Sequence, residues 1–348
     1  MISSEHILTI GPEYNPPKGG IAQCIATYQQ TIYSDFRCLT NSCDGGMVRK
    51  TCKLMFSLIT LCFILAFHKK IRIVHIHTAS YNSFKRSSLF VKVAKAMGRK
   101  VVLHIHGGGF KDYYMKQPRY VRSVLDKADA LITLSTSWKM FFENIALHGN
   151  VHIVPNIISK PIYQNVQGDG KFHLLYMGHI TKAKGVFDLV EMIAENKNFY
   201  RGKLILDIGG GMYDADKLSN FVYDNKMDDI VHLHGWLIGK AKTKMFNFAD
   251  AFILPSYVEG VPISILEAES YGLPILSTNV GGIPNVVDEG KNAFLFRPGD
   301  KQEMKIAIDK VMESRELRAS MGSHSKKLVH KNYPSSVEEN LIEVYRSL

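Results

Sequence analysis

At 348 residues, the chain is long enough for two domains of ordinary size. Apolar residues make up 46% and charged residues 22%, a balance that excludes a disordered, fibrous or low-complexity chain. The five cysteines include no Cys-x-x-Cys pair, which indicates free thiols in a reducing compartment rather than a disulfide scaffold. Because the first residues lack the basic start and apolar core of a signal peptide, we expect a cytoplasmic protein.

Charge is distributed unevenly along the chain. Residues 1–160 carry a net charge of +13 and the remainder −2, and no acidic residue stands between Asp44 and Asp112. A basic face attracts anionic surfaces, so nucleic acid and an anionic membrane leaflet are candidate partners, with simple solubility as the plain alternative. The basic residues alternate with long apolar stretches, which favours the membrane surface and disfavours nucleic acid.

Short β-branched runs alternate with helical patterns along the whole chain, which predicts parallel sheets with helices on both faces. The predicted strands are Ile7–Ile10, Ile73–His77, Val101–His106, Ala130–Leu134, Val151–Val154, Phe172–Met177, Leu204–Ile208, Ile230–His234, Ala251–Leu254 and Pro274–Ser277. The predicted helices lie near 21–33, 53–68, 84–97, 118–127, 137–147, 185–196, 214–225, 239–247, 264–271 and 301–312. Two such sets predict two Rossmann-like α/β domains, with a linker in the Pro- and Gly-containing stretch from Pro155 to Gly170.

One apolar segment, Leu54–Phe67, is flanked by Lys53 and by Lys69-Lys70. Its fourteen residues fall short of the ~20 that a membrane-spanning helix needs. We therefore expect a buried or interfacial helix, and a protein that is peripheral on the inner face of the cell membrane.

Glycines and histidines follow two strands of the first half. Gly19 and Gly20 come after the first strand and before an apolar helix, where the chain can pass close to a ligand, although such loops are common turns. His104 and His106 share one face of a later strand, and His106 lies at its carboxyl end beside three glycines. His104, which lies deeper in the strand, is expected to be structural. His75 and His77 share a face of an earlier strand. The four histidines together suggest a metal site, which is the less favoured alternative.

A second loop, Tyr176-Met-Gly178-His179-Ile-Thr-Lys182-Ala-Lys184-Gly185, follows an apolar strand and opens a helix. Gly178 permits close approach of backbone to a ligand, and Lys184 offers a point charge for a phosphate. The alternative is an ordinary solvated lysine at a helix start.

Two glutamates, Glu259 and Glu267, stand eight positions apart after a buried strand. We expect the loop formed by Gly260, Val261, Pro262 and Ile263 to present backbone N–H groups at a helix N-terminus, where anions are well held. One acid in the loop and another two turns along the helix suit a sugar nucleotide. Glu269 is expected to be a solvated surface acid.

This segment resembles the EX7E signature of retaining GT-B glycosyltransferases, in particular glycosyltransferase family 4. The resemblance covers nearly the whole chain and is strongest from Tyr176 to Asp300. It implies two Rossmann-like domains that face each other across a cleft. We expect residues 1–160 to form an acceptor- and membrane-facing domain and 161–335 a nucleotide-sugar domain, with the final helix, 336–348, packed back on the first.

The resemblance also implies roles for individual residues. His106 and Glu259 hold the transferred sugar, and Glu267 holds the ribose. The other implied donor-binding residues, most of them near the phosphates, are Gly19, Gly20, Gly178, His179, Lys184, Gly260, Val261, Pro262 and Ile263. The family usually has an arginine where His179 stands, and a neutral imidazole binds phosphate weakly, so Lys182 is a possible substitute.

The implied reaction moves a sugar from a UDP- or GDP-sugar, without a metal or other cofactor, to a lipid-linked or oligosaccharide acceptor. The implied pathway is capsule, exopolysaccharide or O-antigen biosynthesis. A GT-B sugar-nucleotide epimerase shares the fold and is the main alternative. A non-enzymatic basic module that binds nucleic acid or membrane leaves the two glutamates unexplained. A nicotinamide dehydrogenase needs a dinucleotide-binding fingerprint after the first strand, and this chain lacks one.

Overall fold

The chain, seen in a computed structural model, is described for residues 1–147, 149–165, 167–211 and 214–348. It divides into two compact units, one formed by Met1–Ser159 with Lys331–Leu348 and the other by Lys160–His330. Val166, within the predicted linker, lies outside the described part. So do Met212 and Tyr213, which follow the glycine run at Gly209–Gly211.

Each unit contains one six-stranded sheet in which every neighbouring pair of strands is parallel. The strands are β1 (Ile7–Pro12), β2 (Cys38–Ser42), β3 (Ile73–Thr78), β4 (Lys100–Ile105), β5 (Ala130–Thr133), β6 (Val151–Ile153), β7 (Phe172–Met177), β8 (Leu204–Gly209), β9 (Val231–Leu233), β10 (Ala251–Leu254), β11 (Ile275–Thr278) and β12 (Ala293–Phe296). The strand order is β2-β1-β3-β4-β5-β6 in the first unit and β12-β11-β10-β7-β8-β9 in the second.

Helices separate most of the strands. They are α1 (Gly20–Thr31), α2 (Met47–Phe67), α3 (Asn82–Ala96), α4 (Phe110–Lys116), α5 (Pro118–Leu125), α6 (Thr136–Ile145), α7 (Val186–Glu195), α8 (Lys197–Tyr200), α9 (Ala215–Asp224), α10 (Gly239–Phe248), α11 (Ile263–Tyr271), α12 (Lys301–Glu313), α13 (Arg315–Leu328) and α14 (Pro334–Arg346). The last of these, α14, belongs to the first unit, where Tyr345 donates to or accepts from His75 Nδ1 at 2.7 Å.

The ten predicted strands are all present, with bounds that differ by at most two residues, so the prediction of two parallel α/β sheets is confirmed. Two strands, β2 and β12, have no counterpart among those predicted. Both lie at a sheet edge and are only partly buried. In β2, Cys-Leu-Thr-Asn-Ser, polar residues interrupt the apolar run that marks a central parallel strand, whereas β12, Ala-Phe-Leu-Phe, is a short apolar run that the prediction missed.

Helix α2 differs from its predicted form in both length and burial. It has 21 residues because it begins at Met47, so the argument from a fourteen-residue length is wrong. Among the described residues it is the one helix that is long and apolar enough to cross a membrane, judged by length and composition alone. Of the two forms expected, a buried helix is wrong and an interfacial helix stays a prediction: only Ser57, Leu61 and Leu65 are buried, while Phe56, Phe63 and Phe67 are more than 60% exposed.

Candidate active site

The site residues of the second unit lie in loops at one edge of its sheet. Because β7 and β10 are adjacent and parallel, the loops that follow them leave the same edge, which is where ligands bind in open α/β sheets. The backbone N–H of Tyr257 donates to the carbonyl of Ala183 at 2.9 Å, which ties the two loops together. Lys184 and Glu259 are carried on these two tied loops.

Lys184 and Glu259 form an ion pair. Lys184 Nζ donates to Glu259 Oε1 at 2.5 Å, and Ser256 Oγ donates to the same oxygen at 2.8 Å. The Glu259 side chain is only 7% exposed and that of Lys184 26%, so the pair is largely shielded from water. The sequence therefore placed an acid and a base in separate motifs, and the fold brings them into contact.

Three glycines fix the position of these loops. Gly185 has a φ of +67°, and a Cβ there would overlap the carbonyl of Pro255. Gly281 has a φ of +58°, and a Cβ there would overlap the carbonyl of Glu259. Gly282 donates its N–H to the carbonyl of Gly260 at 2.7 Å. The backbone of the Glu259 loop is thus held from the loop that follows β11.

Helix α11 begins directly after this loop. Its first residue is Ile263 and its N-cap is Pro262, and among the described residues no side chain caps it. Proline has no N–H, so the backbone donors of the Gly260–Ile263 loop are those of its other three residues. The first-turn N–H groups of α11 remain the donors that a helix N-terminus directs at an anion. Val261, like Pro262 and Ile263, is buried.

Glu267, in the second turn of α11, is paired with Lys242 of α10. Lys242 Nζ donates to Glu267 Oε1 at 2.6 Å, and both side chains are about 20% exposed. Lys242 was not identified from the sequence, because it lies in the run Gly-Lys-Ala-Lys-Thr-Lys and nothing in that pattern distinguishes one lysine from the next. The candidate site thus holds two acid–lysine pairs.

His179 and Gly178 follow β7. The ring of His179 stacks on Trp236, with centroids 5.0 Å apart, and its carbonyl accepts from Tyr176 Oη at 2.7 Å. Gly178 donates its N–H to Gly209 at 3.0 Å. The tightest approach here is at Gly210, where a Cβ would overlap the carbonyl of Gly178. Close packing therefore explains the glycine at position 210.

Gly19, Gly20 and His106 belong to the first unit. Gly19 is the N-cap of α1 with a φ of +108°, which L side chains rarely adopt, and Gly20 is the first residue of that helix. His106 follows β4 and is half-buried, with its Nδ1 3.1 Å from Oδ1 of Asn156.

His106 is one end of a group of four packed imidazoles. His77 Nδ1 lies 3.0 Å from His106 Nε2, and His75 Nε2 lies 3.2 Å from His104 Nδ1. Burial lowers the pKa of His106 to about 4, while the hydrogen bond to Asn156 acts in the opposite direction. His104 is fully buried in this group. A neutral His106 presents a hydrogen-bonding imidazole rather than a cation to any ligand beside it.

Glu269 is not a solvated acid. Its side chain is fully buried, and Asn292 Nδ2 donates to its Oε1 at 2.9 Å. The same amide nitrogen lies 3.2 Å from Ser325 Oγ, which donates to the carbonyl of Leu273. Glu269 therefore joins α11 to the segment before β12 and to α13, and the expectation from the sequence is wrong because helix α11 is covered on that face.

Comparisons with known proteins found similarity in both sequence and structure. Residues 161–328 match the family model described as "Glycosyl transferases group 1". An uncharacterized glycosyltransferase of Methanocaldococcus jannaschii is 25% identical over 182 residues, which are 52% of this chain and 46% of that protein. A putative colanic acid biosynthesis glycosyltransferase of Salmonella typhimurium is 25% identical over 197 residues, 54% of this chain and 48% of that protein. The chain spans about half the length of these curated relatives.

Similarity in structure extends over the whole chain. The crystal structure of Anabaena HepE in complex with UDP and glucose superposes with a TM-score of 0.78 at 15% identity, covering 99% of this chain and 100% of that one. At this identity the similarity establishes the fold, and that fold is GT-B.

Proposed function

We propose that this chain, whose residues 161–328 carry a glycosyl transferase group 1 domain, is a retaining hexosyltransferase of family 4 that uses a nucleoside-diphosphate sugar. The observation that carries the proposal is the shielded Lys184–Glu259 pair, held in tied loops at the carboxyl edge of a parallel sheet. An incoming diphosphate offers Lys184 a stronger partner than one carboxylate. Lys184 then turns to the phosphate, and Glu259 becomes available to accept hydrogen bonds from the sugar hydroxyls.

Bond cleavage in such a donor places negative charge on the departing diphosphate. The ammonium group of Lys184 and the first-turn N–H groups of α11 stabilise that charge as it develops, which is the usual source of a large rate effect. Glu267 accepts hydrogen bonds from the ribose, and Lys242 keeps its carboxylate in place. His106 is proposed to contribute a neutral imidazole to the sugar, and Gly19 and Gly20 to lie near the phosphates.

Retention is proposed to proceed by attack on the same face of the sugar as the leaving group, with a phosphate oxygen taking the acceptor proton. Glu259 Oε1 already accepts hydrogen bonds from two donors. Such a carboxylate is better suited to holding sugar hydroxyls than to attacking the sugar as a nucleophile. NMR of the first-formed product should show the anomeric configuration of the donor. An inverted product would contradict this part of the proposal.

The proposed reaction needs no metal, because Lys184 and the helix N-terminus supply the positive charge. The acidic triplet Asp214-Ala-Asp216 does not change this, since Asp214 Oδ1 is engaged by Lys217 at 2.7 Å in the first turn of α9. Turnover in EDTA should equal turnover in magnesium. A strict requirement for magnesium would contradict the proposal.

The donor is proposed to be a UDP-sugar, with a GDP-sugar as the alternative; the related HepE structure contains UDP and glucose. A thermal-shift panel of UDP-, GDP- and ADP-sugars should raise the melting point for one base, because a ligand that binds the folded state stabilises it. Lys184→Met should lose most of that rise, whereas Lys217→Met, at an exposed pair, should keep it. No shift with any nucleotide sugar would contradict the proposal.

A GT-B epimerase would also bind a nucleotide sugar. Product analysis separates the two: a transferase releases nucleoside diphosphate in step with a glycosylated acceptor, whereas an epimerase releases free sugar without an acceptor. The relation to a colanic acid glycosyltransferase supports a polysaccharide acceptor, which we propose to be lipid-linked and to serve capsule, exopolysaccharide or O-antigen synthesis.

A lipid-linked acceptor places the enzyme on the inner face of the cell membrane, and α2 is the proposed contact. Residues spaced by three or four along its exposed face form an apolar stripe, which we call the α2 stripe: Phe56, Ile59, Phe63 and Phe67. Exposed Arg49 and Lys50 lie in its first turn, and exposed Lys69 and Arg72 follow its end. An apolar stripe bordered by cations suits the boundary between acyl chains and anionic headgroups.

Lying in the interface is favoured over spanning the bilayer. The opposite face of α2 is packed on the first sheet, where Ser57 Oγ donates to the carbonyl of Thr40 at 2.8 Å and Arg99 donates to the carbonyl of Leu65 at 2.7 Å. Insertion across the membrane would expose these groups to hydrocarbon. Arg86 is half-buried, so it is not counted in the proposed basic surface.

Co-sedimentation with vesicles tests this contact. Substituting the α2 stripe with serine should abolish binding to vesicles of anionic phospholipid, and replacing Arg49, Lys50, Lys69 and Arg72 with serine should weaken it and remove its salt dependence. A matched control replaces Tyr223 and Ile306, exposed apolar residues of the second unit, with serine. Unchanged binding in the stripe variant would contradict the membrane proposal.

A further inference from the structure

A histidine–aspartate cluster lies on one face of the second sheet, apart from the acid–lysine pairs. His232 is on edge strand β9 and His234 follows it, so the two side chains point to the same face. Asp207, on the neighbouring strand β8, is directly opposite His232 in the register. The cluster therefore draws on two adjacent strands at an exposed edge.

The ligand atoms of these three residues converge. Asp207 Oδ1 lies 2.7 Å from His234 Nε2 and 3.7 Å from His232 Nδ1, and all three atoms lie within 4.8 Å of one another. In a tetrahedral site with metal–ligand bonds of about 2.0–2.1 Å, neighbouring ligand atoms are about 3.3 Å apart. The observed separations bracket that value, so small side-chain rotations complete the geometry.

The second carboxylate oxygen of Asp207 is hydrogen-bonded to a third histidine, His173. His173 Nδ1 lies 3.0 Å from Asp207 Oδ2, and His173 Nε2 lies 3.1 Å from Asp169 Oδ1. An outer relay of this kind orients the ligating oxygen of a carboxylate in protein metal sites. Asp207 is buried, whereas the side chains of His232 and His234 are 42% and 28% exposed, which leaves a path for an ion.

From this geometry we propose that Asp207, His232 and His234 form a site for a divalent transition-metal ion of the zinc class. Two imidazoles and one carboxylate are ligands that zinc accepts, and they leave a fourth position for water. The ion would cross-link edge strand β9 to β8. It would also fix the turn after His234, which carries Trp236, and Trp236 stacks on His179 of the loop after β7. The proposed role is therefore structural, separate from glycosyl transfer, and it does not depend on the proposed function.

The test uses the full chain without an affinity tag, stripped with EDTA and titrated with Zn²⁺ in a calorimeter. We expect one ion per chain, a melting point raised by a few degrees, and an intense visible spectrum of tetrahedral type when Co²⁺ replaces Zn²⁺. His232→Ala and His234→Asn should each weaken binding at least tenfold. Asp207 is left unchanged because it is buried on β8, where a substitution would also disturb folding.

His324→Ala is the matched control. His324 Nε2 lies 2.7 Å from Asp288 Oδ2 and its side chain is 28% exposed, as in the His234 pair, so it reproduces one histidine–carboxylate contact. This variant should bind Zn²⁺ as the wild type does. Stoichiometric binding that survives in the His232→Ala/His234→Asn double variant, or the absence of binding in the wild type, would overturn the proposal.

Discussion

Lys184 Nζ lies 2.5 Å from Oε1 of Glu259, and the carboxylate of that pair is 7% exposed. Removing one member of a shielded ion pair leaves the other charge buried without a partner, which typically destabilises a protein by about 3–5 kcal/mol. A single alanine variant would therefore mix a loss of stability with a loss of chemistry. Variants that neutralise both charges separate the two effects.

Lys184→Met and the double variant Lys184→Met/Glu259→Gln are both expected to lower kcat/KM for the donor by ~10²-fold or more, because the charge that faces the diphosphate is lost. The double variant should unfold at nearly the wild-type urea concentration, since no unpaired charge remains. Steady-state kinetics and urea denaturation on the same preparations check both statements. Wild-type kinetics in the double variant would remove this pair from the site.

Glu267→Gln should lower donor turnover by ~10²-fold, because a carboxylate that accepts two hydroxyl hydrogen bonds is replaced by an amide that accepts fewer. Lys242→Met should raise KM for the donor more than it lowers kcat, since Lys242 positions Glu267. Lys244→Met, an exposed lysine two residues along the same helix, should leave both constants unchanged. Equal effects at Lys242 and Lys244 would contradict a positioning role.

Gly281→Ala should weaken donor binding, because the added Cβ would overlap the carbonyl of Glu259 and displace that loop. Gly290→Ala is its control, since Gly290 also has a positive φ, +75°, but no atom lies within 4 Å of the added Cβ. Both should lose about 1 kcal/mol of unfolding free energy to backbone strain. Only Gly281→Ala should reduce the nucleotide-dependent rise in melting temperature. An equal reduction in both variants would show that backbone strain, and not displacement of the Glu259 loop, weakens donor binding.

The four packed histidines of the first unit should make stability depend on pH. Burial lowers the pKa of His75 to about 3 and of His106 to about 4, and it holds those of His77 and His104 well below their usual range. In the unfolded chain each regains a pKa of about 6.5, so between pH 6.5 and pH 4 the unfolded state binds more protons. Stability is therefore full above pH 6.5 and falls with pH, by about 2 kcal/mol per histidine between pH 7.5 and pH 5.

Urea denaturation at pH 7.5, 6 and 5 checks this dependence, with His104→Asn as the comparison because it removes one of the four titrating groups. The groups that face the cluster from α1 and α14 do not titrate in this range, since burial raises the pKa of Cys24 to about 12 and also raises those of Tyr28 and Tyr345. The pH slope should be smaller in the variant. An equal slope would assign the pH dependence to other groups.

The central strands and the helices that cover them could be predicted from sequence because burial on both faces produces continuous apolar runs. Edge strand β2 could not, since polar residues interrupt its apolar run, whereas β12 is an apolar run of four residues that the prediction missed. The same limit applies to α2. Its composition is equally consistent with a buried or an exposed helix, and only the packing of Ser57, Leu61 and Leu65 shows which face is covered.

For the candidate site, sequence by itself determined the loops and their chemistry. Gly178, Lys184, Glu259 and Glu267 stand where strand, loop and helix succeed one another, and that order follows from periodicity alone. Their partners were decided by tertiary structure. Lys242 lies 25 positions before Glu267, and its contact depends on how α10 packs beside α11. The burial of Glu269 and the convergence of Asp207 with His232 and His234 have the same origin. A parallel sheet brings distant segments together at one edge, and no local pattern in the chain records which side chains meet there.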